Sequence, residues 1–535
     1  MKSKISIPQD GLAGLRQNWS QDATSGFIVF LLALPLSLGI AKASEFPPLM
    51  GLVSAIIGGI VVSFFAGSPL TIKGPAAGLI VIVLEAVDNF GDGDIGWKLT
   101  LGAIVVAGLV QVLFGLFKWG KLVDFFPLSA VHGMLAAIGL IIILKQIPIL
   151  LDIDPAISRG KSPFSLVLMI PSFFQHLDPK ATLIGVVSFL VMMNWSKIPV
   201  LWLKKIPAAL VVLLIAIPAE LIMDFQHTEP AYALVHIGNL VENIRWNVDF
   251  SGIYQTGKFV ELVIMLALVG SLESLLTVKA IDVMDPFKRK SNPNKDLIAI
   301  GIGNMFAGVL GGLPMISEVA RSSANVSNGA KTKWANFFHG IFILVFVVFA
   351  VHLIEMIPNT ALAAMLISVG IKLAHPREFV QIFRIGKEQL AVFLITIFFT
   401  LYEDLLVGMA AGIVMELLFH LFHGTPLRSL FKPVIEVSFT DKMYVLKVEN
   451  SAIFTNYIGL KSKLDAVPAG MNLTIDFTDT NFVDHSVLEN LHYFEHDYIN
   501  AGGKFQIVGM NDHKKLSNHQ HAARKKSKSL IHSIN

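Results

Sequence analysis

The fold class this sequence predicts is an α-helical polytopic membrane protein with a small α/β domain at its C-terminal end. Three observations carry that reading. The first is composition: the 535 residues are 54% hydrophobic and 15% charged, with a mean hydropathy of +0.65. A soluble domain carries about 25% charge. The second is repetition. Runs such as 27–41, 103–117 and 337–351 hold no acidic residue, lysine or arginine. Each lies in a longer segment approaching the roughly 20 residues a bilayer-spanning helix needs. A β-barrel would instead alternate along strands of about 10 residues. The third is a change of material after Leu430, where short β-branched runs replace long apolar ones.

Taken in order, the N-terminal segment 1–22 is polar. It has no apolar stretch followed by a small-residue cleavage site, so the reading is an uncleaved cytoplasmic segment. Apolar runs then begin near Ala23, Leu49, Gly74, Leu99, Phe125, Ala181, Ile206, Phe259, Leu297, Val319, Phe337, Ala361, Leu390 and Leu405. Basic residues alternate with acidic ones between them. Lys118 and Lys121, then Lys197, Lys204 and Lys205, then Lys288 to Lys295, then Lys331 and Lys333, then Lys372 to Lys387 fall on one side. Asp88, Asp92 and Asp94, Asp152 and Asp154, Asp224 and Glu229, and Glu403 and Asp404 fall on the other. Positive charge stays on the cytoplasmic side. This predicts about fourteen spans over 23–425, with both termini cytoplasmic.

Within 431–512, VIEVSFT, MYVLKVE, NLTIDFT and KFQIVGM read as strands, bounded by turn signals at Asp441–Lys442 and Ala469–Gly470. The stretches 458–467 and 486–501 read as helices. The segment 513–535 is polar and basic and reads as a disordered tail, with no nucleic-acid partner. The chain has no cysteine, which excludes disulfides, thiolate nucleophiles and Cys-ligated metals. No phosphate-binding G-x-x-x-x-G-K-[ST] loop occurs, so energy for transport would come from an ion gradient. The glycines of GIGNMFAG read as close helix packing, and His132, His339 and His352 as hydrogen-bonded packing residues.

The two halves echo each other. Gly67-Ser-Pro-Leu-Thr-Ile-Lys73 and Gly312-Leu-Pro-Met-Ile-Ser-Glu318 both read Gly-x-Pro-x-x-x-charge, and a short helical run follows each, 74–87 and 319–326. Paired interrupted segments point to the binding site of a transporter built from repeats. If they meet, Lys73 and Glu318 neutralise each other; otherwise they are loop-end charges at an interface. Two helix N-termini would face the gap, each with about half a positive charge and free N–H donors. With Arg321 one turn into the second run, the gap attracts a small anion. The candidate substrate residues are Lys73, Gly74, Pro75, Ala76, Ile316, Ser317, Glu318, Val319 and Arg321. Glu273, inside the apolar segment LVIMLALVGSLESLLTVKAID, is an intramembrane carboxylate and hence a functional candidate. A structural partner for a buried hydroxyl or lysine is the alternative.

GSPLTIKGPAAG, LVGSLESLLTVKAID, the stretch from DLIAIGIGNMFAG to KTKWANFFHG and the C-terminal β/α pattern resemble the SulP family of inorganic anion transporters, whose terminal domain is of the STAS type. The resemblance implies two inverted seven-helix repeats, about 23–225 and 257–425, divided into a core and a gate that move elevator-fashion. It also implies substrate between the third and tenth spans, a homodimer, and no enzymatic activity. Glu273 and Thr277 match positions that hold sodium in a bicarbonate-carrying member, with Asp in place of Glu273. That departure, with Ser317, Glu318 and Val319 at the substrate positions, leaves H+ or Na+ as the coupling ion, and no cofactor is implied. Asp484-His485-Ser486-Val487 matches the Asp-Ser-Ser-Gly turn of anti-sigma antagonists only in part. It leaves Ser486 as a regulatory candidate against a plain helix cap.

The reading is therefore a secondary active transporter of sulfate or bicarbonate in a bacterial inner membrane. A passive anion channel and a membrane-anchored STAS protein that binds a cytoplasmic partner are the alternatives.

Overall fold

A computed structural model describes residues 7–91, 93–120, 126–158, 161–200, 206–228, 234–238, 240, 246–403, 405–440, 443–468, 470–500 and 502–527. Asp92, Lys121, Phe125, Lys204, Lys205, Glu229, Asp404, Asp441, Lys442, Ala469 and the residues after Ser527 lie outside them. The chain forms two compact units, 1–120 with 138–373, and 121–137 with 374–535.

The first unit is helical around one small sheet. Helix α1 (Gly11–Ala43) starts earlier than the apolar run does. Asp10 caps it, and the buried Asp22 on its inner face accepts Lys331 N, Thr332 N and Thr332 Oγ1. A polar first third is therefore held against the body. Helix α2 (Pro48–Phe65) leads into strand β1 (Ile72–Pro75), a 3-10 turn (Ala77–Leu79) and the short α3 (Ile80–Phe90). Helices α4 (Asp94–Leu116), α5 (Leu128–Leu150), α6 (Pro163–His176), α7 (Pro179–Asn194) and α8 (Ala208–Met223) follow.

The second half repeats the order. Helix α9 (Thr256–Met284) and α10 (Pro293–Leu310) lead into strand β2 (Met315–Glu318) and the short α11 (Val319–Ser327). Helices α12 (Trp334–Phe349) and α13 (Asn359–Leu373) complete the unit. Packing is reciprocal: α4 lies on α10, and α12 lies on α2. Each helix after a broken segment thus packs on the helix before the other one, as a two-fold exchange of halves produces. The glycines of GIGNMFAG serve that packing, since a Cβ on Gly301 would sit 2.5 Å from the Gly108 carbonyl.

Among the described residues, six helices (α1, α2, α4, α5, α9 and Leu405–Phe422 in the second unit) are long and apolar enough to cross a membrane. α7, α8 and α12 are shorter apolar helices.

The second unit holds the start of α5, then α14 (Pro376–Ile385), α15 (Lys387–Tyr402) and α16 (Leu405–Phe422), the last two packed together. Beyond them lies a sheet in the order β7-β5-β4-β6-β9-β8, with β3 also on β4. Strands β3 (Val434–Thr440), β4 (Met443–Ala452), β5 (Asn472–Asp476) and β7 (Lys504–Val508) fall where the β-branched runs predict them. β5 runs parallel to both β4 and β7. Helices α17 (Phe454–Asp465) and α18 (His485–Asn500) cover the sheet over a core that includes Leu446, Tyr457, Leu460, Ile475, Val487 and Leu491.

The basic tail is a correction. His513–Lys515 (β8) and Arg524–Lys526 (β9) form an antiparallel pair, and β9 continues onto β6 (Thr480–Val483). The alternating apolar partners that mark a strand in sequence are missing there. Pairing with an existing sheet edge supplies the order instead, and Ala522 and Ala523 are buried beside it.

Candidate functional site

The two interrupted segments meet. β1 and β2 form an antiparallel ladder with Ile72 opposite Glu318, Lys73 opposite Ser317, Gly74 opposite Ile316 and Pro75 opposite Met315. Proline explains why the chain is extended here, because it biases the residue before it away from the α region. Gly74 precedes Pro75 and Leu313 precedes Pro314. The first helical run starts later than the sequence suggests, at Ala77, because Ile72–Pro75 is spent on the strand. The second starts at Val319 as expected.

Side chains alternate across a ladder, so its two faces differ. On one face Lys73 and Ser317 share a single acceptor. Lys73 Nζ lies 3.0 Å from Asp296 Oδ1, and Ser317 Oγ donates to Asp296 Oδ2 at 3.0 Å. Asp296 Oδ1 also accepts the backbone N–H groups of Gly67 and Ser68, and Lys73 Nζ bonds Thr71 Oγ1. All three side chains are essentially inaccessible. The mutual neutralisation of Lys73 and Glu318 is thus corrected: Lys73 pairs with Asp296. Glu318 sits one register position away, on the opposite side of the ladder, where it caps α11 by accepting Arg321 N at 2.7 Å.

The opposite face is unsatisfied. Arg321 is fully buried, and among the described residues its Nε, NH1 and NH2 have no hydrogen-bond partner. The guanidinium takes the place a side chain at position 74 would occupy, since a Cβ on Gly74 would be 2.5 Å from Arg321 NH1. Glu273, also buried, lies over the start of the first short helix. A Cβ on Gly78 would be 1.9 Å from its Oε1, and its Oε2 has no hydrogen-bond partner among the described residues. Thr277 is buried one turn further along α9. Ala76, Ile316 and Pro75 line the ladder as apolar or donor-free backbone, and Val319 opens α11 and is exposed.

Residues that sequence reasoning missed are the clamps. Asn304 bonds Met315 as a peptide would, donating from Nδ2 to its carbonyl at 3.2 Å and accepting its N–H at 2.6 Å. Asn336 Oδ1 accepts Lys73 N, and its Nδ2 donates to Gly58 O and Ser63 Oγ. Ser322 Oγ accepts Ile72 N, and Asn325 Nδ2 donates to Leu70 O. A two-stranded sheet deep in an apolar body has unpaired edges on both sides. Amide and hydroxyl side chains satisfy them where water cannot. The only signal was a set of buried-type polar residues inside apolar runs. Of the histidines, His339 is buried with no hydrogen bond at either nitrogen among the described residues, His352 is exposed, and His132 faces Glu378 at 3.4 Å.

Ser486 is buried, and its hydroxyl accepts Leu128 N at 3.2 Å. The cap of α18 is Asp484, whose Oδ1 accepts Val487 N at 2.7 Å.

A helical membrane body whose two halves each break in mid-course and meet as a ladder has the architecture of transporters built on discontinuous helices. The chain belongs to the sulfate permease family, whose sequence profile matches residues 20–396. A putative sulfate transporter of Bacillus subtilis, YvdB, is 26% identical over 514 residues, covering 93% of each chain. The transmembrane domain of a cyanobacterial bicarbonate transporter, BicA, superposes with a TM-score of 0.64 at 23% identity, over 74% of this chain and 98% of that one. The overall structure of SLC26A9 superposes with a TM-score of 0.67 at 16% identity, over 92% and 85%. The C-terminal sheet and helices fit a STAS domain.

Proposed function

We propose that this chain is a secondary active transporter of a small inorganic anion, sulfate or bicarbonate, and that the anion binds on the Arg321 face of the β1–β2 ladder. The observation that carries this reading is Arg321 itself, a fully buried guanidinium beside two helix starts, none of whose three nitrogens has a hydrogen-bond partner among the described residues. A buried charge without partners is costly. An oxyanion taking two of its N–H groups, with backbone N–H donors at the helix starts, would remove that cost. The relatives' names, sulfate on one side and bicarbonate on the other, bracket the substrate class. Lys73, locked behind the ladder by Asp296, then holds the site's shape instead of touching the anion.

Glu273 is the coupling group in this reading. A carboxylate buried over Gly78 with one free oxygen can exchange a proton, or with Thr277 hold a sodium ion, as the site fills. Movement of the ladder-bearing helices as one body gives elevator-type access across about fourteen spans in two inverted repeats. We place the protein as a homodimer in a bacterial inner membrane with both termini cytoplasmic. The deciding experiment is uptake of labelled sulfate and of labelled bicarbonate into proteoliposomes, with proton and sodium gradients imposed separately. Saturable uptake driven by one gradient, lost in Glu273→Gln while anion exchange at equilibrium persists, is the expected result. Gradient-driven uptake at the wild-type rate in that variant would remove Glu273 from coupling. Large single-channel currents would show a channel instead.

A further inference from the structure

The second unit contains a buried cluster apart from the residues of the β1–β2 ladder site. Glu416 and His420 lie one turn apart on α16, and Asp484 stands at the start of α18. His420 Nε2 is 3.5 Å from Glu416 Oε1 and 3.5 Å from Asp484 Oδ2. The three side chains are at most 4% exposed, and their ligand atoms all lie within 4.8 Å of one another. Neither imidazole nitrogen of His420 makes a hydrogen bond, and Glu416 Oε2 has no partner among the described residues. The surroundings are apolar: the rings of Phe454 and Phe482 pack at 5.6 and 5.4 Å from the imidazole, beside Leu430, Ile453 and Ala523.

Charge and spacing both point the same way. Two carboxylates and one imidazole carry a net negative charge, whether or not the ring is protonated, in a site buried from bulk solvent. The neighbouring imidazole, His423, stacks on Phe482 at 4.8 Å and is engaged with Glu388 at 2.8 Å. A divalent cation with a neutral imidazole makes the cluster neutral. Oxygen and nitrogen ligands bind zinc at about 2.0–2.2 Å, and a tetrahedron of that size has edges of roughly 3.3–3.6 Å. The two separations from His420 Nε2 fall in that range, and at 3.5 Å both are longer than ordinary hydrogen bonds. Asp484 is also held as metal-binding carboxylates are, because its two oxygens accept Val487 N and Phe454 N at 2.7 and 2.6 Å.

We infer that Glu416, His420 and Asp484 form a binding site for a zinc-class divalent cation, with a water as fourth ligand, that staples the last apolar helix of the chain to the start of α18.

The test uses the full-length protein in detergent, freed of any affinity tag and stripped with a chelator. Co2+ alone is titrated while the visible bands of tetrahedral cobalt are recorded, and Zn2+ is then added. One equivalent of Co2+ with those bands, displaced by Zn2+, is the expected result. His420→Ala and the milder Glu416→Gln should each weaken binding by more than roughly tenfold, the lower end of what losing even an outer-shell partner costs. The paired change His519→Ala with His521→Ala, which removes two half-buried imidazoles outside the cluster, should leave the stoichiometric site intact. A folded wild-type protein that takes up no equivalent of Co2+ would overturn the inference. So would binding that survives in Glu416→Gln and disappears with the tail histidines. Because the readout is metal binding, the result is independent of whether any anion is transported.

Discussion

The two faces of the β1–β2 ladder hold the same kinds of group in opposite states. Behind it, Lys73 meets Asp296, and Asp296 accepts four donors in all. In front of it, Arg321 is as deeply buried and, among the described residues, its guanidinium makes no hydrogen bond, with the Glu318 carboxylate as its electrostatic neighbour. A buried cation with its partners satisfied is part of the framework. A buried cation without partners is waiting for something the chain does not supply. Strand parity puts Lys73 on one face and the Gly74 position, which the Arg321 guanidinium of α11 fills, on the other.

The largest effect should come from breaking the satisfied face. Asp296→Ala leaves Lys73 charged and alone, at a cost of about 3–5 kcal/mol. Thermal unfolding in detergent should show it as a sharp loss of stability. Adding Lys73→Met should recover most of the loss, and adding Glu318→Ala should recover none. Rescue by Glu318→Ala instead would restore the pairing that the sequence alone suggests.

Next comes the open face. Arg321→Met should cut anion affinity by roughly 10- to 150-fold, the worth of a charged hydrogen bond of about 1.5–3 kcal/mol. Its apo form should be no less stable than wild type, because an uncompensated charge has gone. Equal destabilisation by Arg321→Met and Asp296→Ala would erase the contrast between the faces.

A smaller effect tests the fit between them. Gly74→Ala brings a methyl to 2.5 Å from Arg321 NH1. The guanidinium is the movable partner, so folding should survive while anion affinity falls by about tenfold, read in the same binding assay. Undiminished affinity would mean the guanidinium's position beside Gly74 is irrelevant to the anion.

Smallest is Ser486→Ala in the second unit, which removes one acceptor for Leu128 N and should cost about 1 kcal/mol or less. A complete loss of uptake with normal stability would instead give Ser486 the regulatory role considered from its position after Asp484.

Much of this was legible in the chain. The apolar runs, the break at Leu430, four of the strands and both STAS-like helices are local patterns of hydropathy and β-branching, and they survive folding because they are local. The echo between Gly67–Lys73 and Gly312–Glu318 was legible too, because proline and glycine dictate backbone shape wherever they stand. The partner of Lys73 was not. Asp296 follows the basic stretch 288–295 in the chain, and only the packing of the first turn of α10 beneath the ladder brings it to Lys73. The strand at Arg524–Lys526 was equally hidden, because its order comes from a neighbouring edge and not from its own residues.

By itself, then, the sequence determined which segments are apolar, where each half breaks, and that charges lie near both breaks, all consequences of residue chemistry within a few turns. Only the tertiary structure decided which charge meets which. Ion pairing depends on strand parity and on contacts across more than 200 residues, and no local pattern encodes either. That is why Lys73 became framework while Arg321, four residues past its cross-strand neighbour Ser317, was left facing the gap.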